Sequence, residues 1–401
     1  RPRGWRRAAA WIARPRHAAA RAAVLVLSAI GAVRSVGEDA GLRRVREQVV
    51  PEILRLQDAS EFAAASRLTR RAEQTFPDEP SLRLASLRTA MPLTVVTTPP
   101  GAEVWATGFA PDDDAWVKLG RTPFTVRRLS IGLYRLRVRM PGFETVEASA
   151  EVRGGSVAAF VLDRTGTLPP GMVRVPAGIA STPSLEDAAV DTFFVDRFEV
   201  TNRQFKVFLD GGGYRAREYW KEAFTRDGRV VPWDDAMREF RDSTGQPGPA
   251  GWAGGQYPKG QDDYPVSGVS WFEAAAFAAF AGKRLPSIHH WQRAASPGWF
   301  SEVLEVSNFS GRGPAPVGSD RGIGPYGPVD MAGKGKEMGS KATADDRFVR
   351  GGAWSQPGWT FGNLDARSPW DRVEGERVPV HPRRCAHSGT RRGDLAGVGG
   401  P

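Results

Sequence analysis

Asp330-Met331-Ala332-Gly333-Lys334-Gly335-Lys336-Glu337-Met338 and, a few residues on, Arg350-Gly351-Gly352-Ala353-Trp354 decide how this chain is read. They close an ordered series of short motifs that begins at Gly171-Met172-Val173-Arg174-Val175-Pro176-Ala177-Gly178. The series continues through Glu199-Val200-Thr201-Asn202, Val269-Ser270-Trp271 and Gly282-Lys283-Arg284-Leu285-Pro286. Between the motifs, Phe193 to Phe208 and Trp271 to Ala281 read as helices or helix starts. Much of 210–265 and 296–350 is instead Gly, Pro and Trp with little period. Irregular backbone is expected there, stabilised by buried aromatics and loop hydrogen bonds.

Working outward, residues 164–170 form a Gly/Pro-rich joint before this domain. Residues 93–163 change to a period of two: Leu93 and Val95 alternate with threonines, and Tyr134, Leu136 and Val138 with arginines. That pattern predicts a small antiparallel sandwich, with Arg135, Arg137 and Arg139 on a solvated face. Residues 42–90 are helical in pattern. Val45, Val49, Ile53, Leu54 and Leu56 recur at steps of three and four, as do Phe62, Ala65, Leu68 and Ala72, and Pro77-Asp78-Glu79-Pro80 closes the run. A single tetratricopeptide-type helix pair of this length reads as a stalk that cannot bury its own face.

The 401 residues are 41% hydrophobic and 25% charged, a globular composition with room for two or three domains. The net charge of +10 is uneven: Arg1, Arg3, Arg6, Arg7, Arg14, Arg16 and Arg21 all precede the first acid, Glu38. Residues 1–21 are therefore a basic tail. The apolar run Ala22 to Val33 follows at once, so an anionic membrane surface is the expected partner and nucleic acid is not. Ala22 to Val33 spans about 18 Å as a helix against the roughly 30 Å of a bilayer core. Residues 22–36 are thus a short candidate anchor, with Arg21 and Arg34 placed to snorkel. If the run spans, the arginines put the N-terminus in the cytoplasm and the remaining domains outside. A chain beginning with Arg reads as part of something longer. At the other end, 373–401 is Arg, Gly and Pro without apolar alternation, a disordered composition that a shifted reading frame would explain.

The motif series resembles the formylglycine-generating enzyme (sulfatase-modifying factor) family, over about half of the chain. The resemblance implies an α+β, C-type-lectin-like fold across 171–372. The turns Pro99-Pro100-Gly101-Ala102-Glu103, Gly120-Arg121-Thr122-Pro123, Gly132-Leu133-Tyr134 and Pro141-Gly142-Phe143 resemble the PEGA domain, a surface spacer or binding module. Lys336 and Ala366-Arg367-Ser368-Pro369-Trp370-Asp371-Arg372 resemble members fused to bacterial serine/threonine kinases, which makes a cytoplasmic kinase in the same full-length chain an expected partner. The chain itself has no Gly-rich phosphate loop, His-Arg-Asp, Asp-Phe-Gly or Gly-x-Ser-x-Gly.

Members of the family that oxidise a substrate cysteine hold copper with a cysteine pair, as soft thiolates require. Cys385 is the one cysteine here, so copper is not expected. His381, Cys385 and His387 have a spacing that suits three N/S metal ligands, but their Pro- and Arg-rich surroundings favour incidental residues. The loop Gly333 to Met338 resembles one that the family associates with calcium. Glu337 is retained, so calcium is the metal the loop leaves open, although Lys334 brings a cation where the family has an Asn oxygen. His289 and His290 stand at a helix start and read as capping or surface residues. Glu199, Arg284, Arg350 and Trp354 read as holding the fold through buried pairs and packing. By the family's use of its last third, Trp354, Asp365, Arg367, Asp371 and Arg372 are the candidate ligand cleft, a mixture suited to peptides.

The sequence therefore favours a non-catalytic binding or sensor region of a membrane-anchored, kinase-linked bacterial signalling protein, with a peptide or protein ligand and extracytoplasmic C-terminal domains. The alternatives are a formylglycine-generating oxidase acting on a cysteine in a protein, or a structural cell-envelope protein.

Overall fold

The computed structural model describes residues 40–371, 380–382 and 385–387, with breaks at 60, 88–89, 110–114, 183–184, 296–302, 305, 310, 312, 342–346, 359–360 and 362–364. The basic tail 1–21, the anchor candidate 22–36 and Arg372 lie outside the described residues. Among the described residues, no helix is long and apolar enough to cross a membrane. Two compact units divide the chain: Arg1–Pro92 with Arg127–Gly132, and Leu93–Val126 with Leu133–Pro401.

In the first unit a π-turn, Val45–Val49, leads into α1 (Val50–Asp58), then α2 (Phe62–Thr75) and α3 (Pro80–Leu87). Val45, Ile53, Leu56, Ala65, Ala72, Leu82 and Ala85 form one buried cluster. The expected helix pair is thus joined by a third helix, whose Leu82 and Ala85 complete a small buried cluster. Glu79 ties the turn before α3 to the π-turn. Its carboxylate pairs with Arg46 at 2.9 Å and accepts the Ser81 hydroxyl at 2.7 Å. The Arg46 guanidinium, with help from Ser81, pulls that carboxyl down to about 2.

A small all-β module follows, made of β1 (Ala90–Thr98), β2 (Glu103–Gly108), β3 (Val117–Arg121), β4 (Phe124–Ser130), β5 (Gly132–Arg139), β6 (Val146–Val152) and β7 (Ser156–Val161). One sheet has the order β4-β1-β7 and the other β3-β2-β5-β6. The period of two puts Leu93, Val95, Val104, Leu136 and Val138 in its core. The expected purely antiparallel sandwich is corrected at one pair: β7 runs parallel to β1, Leu93 opposite Ser156 through Thr98 opposite Val161. The arginine face is also corrected. Arg139 is exposed, but Arg135 and Arg137 are half-buried. The Arg137 guanidinium lies 3.9 Å from the Trp116 ring centre and its Nε donates to Glu147 at 2.6 Å. Burial pushes the Glu147 carboxyl up, but Arg137 and Arg197 outweigh it and hold the group below its ordinary value.

The rest of the second unit comprises β8 (Met172–Val175), β9 (Gly178–Thr182), β10 (Leu185–Val190), β11 (Phe193–Asp196), α4 (Asn202–Asp210), β12 (Thr225–Arg226), β13 (Arg229–Val230), α5 (Trp233–Glu239), α6 (Trp271–Phe280), α7 (Ile288–Ala295), β14 (Lys336–Lys341), β15 (Arg347–Arg350), β16 (Asp365–Arg367), β17 (Val380–Pro382) and β18 (Cys385–His387). Phe193–Asp196, grouped with a helix by sequence, is a strand paired antiparallel with β8; its aromatic and β-branched residues alternate inward. The helix itself starts later, at a capping box in which Thr201 and Gln204 satisfy each other's backbone N–H. Ser270 and Glu273 repeat the device at the start of α6.

α6 is apolar almost all round and becomes the buried centre of the domain. Phe277 stacks on Phe205 at 5.1 Å, and Phe272 meets Phe224 at 5.0 Å and Trp370 at 4.9 Å. The small sheets surround this aromatic core. One has the order β18-β11-β8, another β16-β15-β14-β17. The expectation that 373–401 lacks structure is corrected within its described part: β17 pairs parallel with β14, and β18 antiparallel with β11. Ladder hydrogen bonds use only main-chain groups, so three residues of unpromising composition can extend a sheet whose edge is open.

The β module and the larger domain pack within this second unit. Ser149 N–H donates to the Gly324 carbonyl at 3.0 Å, and Phe109 and Leu133 share a buried cluster with Ile323 and Val329.

Candidate ligand pocket and a lysine-centred oxygen cluster

The sequence Gly282-Lys283-Arg284-Leu285-Pro286-Ser287 leaves α6 and enters α7. It borders a pocket of 410 Å³. Tyr219 and Trp271 give the pocket aromatic walls, Lys221, Lys283, Arg284 and His290 its basic groups, Ser287 and Ser340 hydroxyls, and Glu222 a carboxylate. These groups are held in place. The Trp271 indole donates to the Gly339 carbonyl at 2.8 Å, with the Arg347 guanidinium 4.3 Å from the ring centre. Ser340 N–H donates to the Pro286 carbonyl at 2.7 Å. Ser287 Oγ accepts the His290 N–H at 3.2 Å and lies 2.5 Å from His290 Nδ1. Ser287 thus caps α7, and that helix terminus adds its partial positive charge to the basic side chains. Lys283 is neutralised by Asp196 at 2.8 Å, so the exposed Arg284 and Lys221 carry the pocket's usable charge.

A second polar feature lies in the loop Asp330 to Lys334. Lys334 Nζ donates to the Pro316 carbonyl at 2.5 Å, Ser319 Oγ at 3.0 Å and Asp330 Oδ2 at 3.0 Å. Asp320 Oδ2 is 3.2 Å away as an ion-pair partner. Lys334 and Asp330 side chains are each 1% exposed. The backbone aims the amine: Lys334 has φ +57 and Asp330 φ +62, both in the left-handed region. Gly333, at φ +77, has to be glycine, because a Cβ there would lie 2.6 Å from the Asn308 carbonyl oxygen.

The sequence-predicted site residues fall on several elements. Trp354 is half-buried, its N–H donating to the Lys334 carbonyl at 3.2 Å, so it belongs with the lysine loop. Asp365 and Arg367 lie on the outer strand β16, opposite Val349 and Arg347 of β15. Asp371 is exposed and its N–H donates to the Ser368 carbonyl at 3.1 Å. Among the described residues no hydrogen bond joins Trp354 to Asp371. Glu337 is 1% exposed and accepts the Trp291 indole N–H. Of the residues read as fold supports, Glu199 and Arg350 are buried, and Arg350 donates to Gln292 Oε1 at 2.5 Å. Arg284 is corrected: it is exposed at the pocket.

β17 and β18 carry His381, Cys385 and His387 into two different sheets. Among the described residues no group of three or more His, Cys, Asp or Glu side chains could hold a metal ion. Sequence reasoning missed Lys221 and Glu222, which sit in a stretch without period, and the oxygens around Lys334. Only the Asn-to-Lys difference at 334 signalled the cluster.

Short sheets around two capped helices, an aromatic core and hydrogen-bonded loops define a mixed α+β domain whose polar sites are built from loops. The chain belongs to the family of the sulfatase-modifying factor enzyme 1-like domain, whose family model matches residues 158–371. The PEGA domain model matches 91–165. The formylglycine-generating enzyme of Bos taurus is 27% identical over 190 residues, 39% of this chain and 50% of that protein. The hercynine oxygenase of Mycolicibacterium thermoresistibile is 34% identical over 112 residues, 26% of this chain and 22% of its own length. The serine/threonine-protein kinase pkn1 of Chlamydia caviae is 32% identical over 151 residues, 35% of this chain and 21% of the kinase. The chain thus spans half or less of the length of these relatives. Among solved structures, the crystal structure of CarF overlaps 55% of this chain and 98% of its own at 17% identity, with a TM-score of 0.37.

The cofactor chemistry that the resemblance implies meets a different donor set here. A copper site of two thiolates has a single cysteine to draw on in these 401 residues. At the loop associated with calcium, oxygens from residues 316–330 are gathered around the Lys334 ammonium, and Glu337 is engaged by Trp291. Neither set fits its metal.

Proposed function

We propose that this chain is the non-catalytic ligand-binding region of a kinase-linked, membrane-anchored signalling protein, and that its ligand is an acidic peptide segment. The observation that carries the reading is the pocket beside α7, where Arg284 and Lys221 stand exposed next to Trp271 and the capped helix terminus. Aromatic walls supply contact area and the basic groups supply orientation, the usual division of labour in a peptide pocket. The kinase link is supported by the match to pkn1 of Chlamydia caviae, and the membrane anchor by the apolar run Ala22 to Val33 between arginines. Residues Trp354 and Asp371 remain candidates for contacts outside the pocket.

The test is thermal unfolding of the full chain against acidic, neutral and basic peptide sets. Binding to the native state raises the midpoint with ligand concentration, by RT ln(1 + [L]/Kd) in free energy. The expected result is a rise for acidic peptides that grows with their concentration and that Arg284→Glu with Lys221→Glu abolishes. Stabilisation by basic peptides alone, or none by any set, would overturn it. The similarity to formylglycine-generating enzymes favours a second reading, oxidation of a peptide cysteine. Oxygen uptake with cysteine-containing peptides would establish that reading and remove the first.

A further inference from the structure

We infer that the Lys334 ammonium is a tethered cation: it occupies a small-cation site made of protein oxygens, and so frees the domain from any need to bind a metal there. The oxygen set is of the kind that hard cations take, two carboxylates (Asp330 and Asp320), a main-chain carbonyl (Pro316) and a hydroxyl (Ser319). Asp330 Oδ2 also accepts the Gly318 N–H at 2.6 Å, which fixes the oxygen that faces the amine. A carboxylate 1% exposed is unfavourable without a positive charge beside it. Lys334 supplies that charge from four residues away at 3.0 Å.

The backbone supports the same assignment. A residue at φ +57 projects its side chain in a direction that a right-handed residue would not, and a non-glycine residue holds that conformation when its surroundings over-determine it. Main-chain bonds on both sides do so: Lys334 N–H donates to the Asn308 carbonyl and the Lys334 carbonyl accepts the Trp354 N–H, each at 3.2 Å. The amine is therefore delivered into a preformed ring of oxygens. An ammonium cannot coexist with a divalent ion among the same two carboxylates, since the like charges would lie within a few ångströms.

The experiment compares the intact chain with Lys334→Gly, which suits the left-handed backbone and empties the site, and with Lys334→Met, which fills it without charge. Midpoints of thermal unfolding are read in chelator, in millimolar calcium and in methylammonium chloride. The unaltered chain is expected to show the same midpoint in all three. Both variants should fall by an amount on the order of 10 °C in chelator, because a buried carboxylate loses its partner. Calcium or methylammonium should raise Lys334→Gly in a concentration-dependent way and leave Lys334→Met where it is. A calcium-dependent rise in the unaltered chain would overturn the assignment whatever the variants do, and so would equal midpoints for the unaltered chain and Lys334→Met. Where Lys334→Gly does not fold in chelator, recovery on refolding with either cation supports the proposal and failure with both counts against it.

Discussion

Asp330 and Lys334 both take left-handed backbone conformations, φ +62 and φ +57, and their side chains meet at 3.0 Å with each 1% exposed. Two unfavourable backbone geometries in one five-residue turn are tolerated because they bring a carboxylate and an ammonium together out of water. A buried pair of this kind adds modest net stability, but losing one partner strands the other.

Asp330→Asn tests that relationship from the acidic side, since asparagine accepts the left-handed backbone while the charge is lost. The expected cost is about 3 to 5 kcal/mol in urea unfolding, the range for stranding a buried charge. Asp320→Asn should cost about 1 kcal/mol, because the Asp320 side chain is 23% exposed. Equal costs for the two would mean that Asp330 is not the principal counter-ion.

Trp370 lies beside the predicted cleft residue Asp371 but packs inward. It meets Phe272 at 4.9 Å, stacks on Phe240 at 5.8 Å and donates its indole N–H to the Thr225 carbonyl at 2.6 Å. Trp370→Ala should destabilise the domain by about 3 kcal/mol, as large-to-small core changes do, whereas Asp371→Ala should change stability by less than about 0.5 kcal/mol. Calorimetry that ranked the two in the opposite order would place the core elsewhere.

Ser270 is fully buried and accepts the Glu273 N–H at 3.3 Å, while Glu273 accepts the Ser270 N–H at 2.7 Å and the Tyr214 hydroxyl at 2.6 Å. Ser270→Ala removes one half of this box and should cost about 1 to 2 kcal/mol. Ser270→Asp should retain a cap acceptor but place a second carboxylate beside Glu273, and is expected to unfold at least as readily. Circular dichroism melts would show both.

In the helical unit the Glu79 carboxyl is held at about 2, below its ordinary 4.5. A lowered acid stabilises the folded state fully above the unfolded value, and the contribution is lost as pH falls through the folded one. Helical stability should therefore be level above pH 4.5 with respect to this group and decline from there toward pH 2. Glu79→Gln should flatten that decline and lower the plateau. A variant with an unchanged pH profile would show that other carboxylates govern acid unfolding of the unit.

Much of the architecture was legible along the chain. The period-two alternation of 93–163 announced the β module, and Val269-Ser270-Trp271 with the apolar residues after it announced α6, because side-chain alternation and capping are local properties. Phe193–Asp196 was harder: a short apolar run suits a strand or a helix start, and its pairing with β8 settled the matter. The family resemblance implied a cleft containing Asp365, Arg367 and Asp371; β16 places the first two on an outer strand, and Trp370, next to the third, packs into the aromatic core.

What the sequence by itself determined is the order of modules and the presence of a lysine at 334 in place of an oxygen donor. Only the tertiary structure decided which charges are neutralised and which are free. Lys283 and Arg284 are adjacent, but Asp196 reaches one and solvent the other. Lys334 is a surface-type residue by composition and becomes the centre of an oxygen cluster because residues 316–330 fold over it. Desolvation and the partners that offset it depend on chain segments far apart in sequence, and no local pattern encodes them.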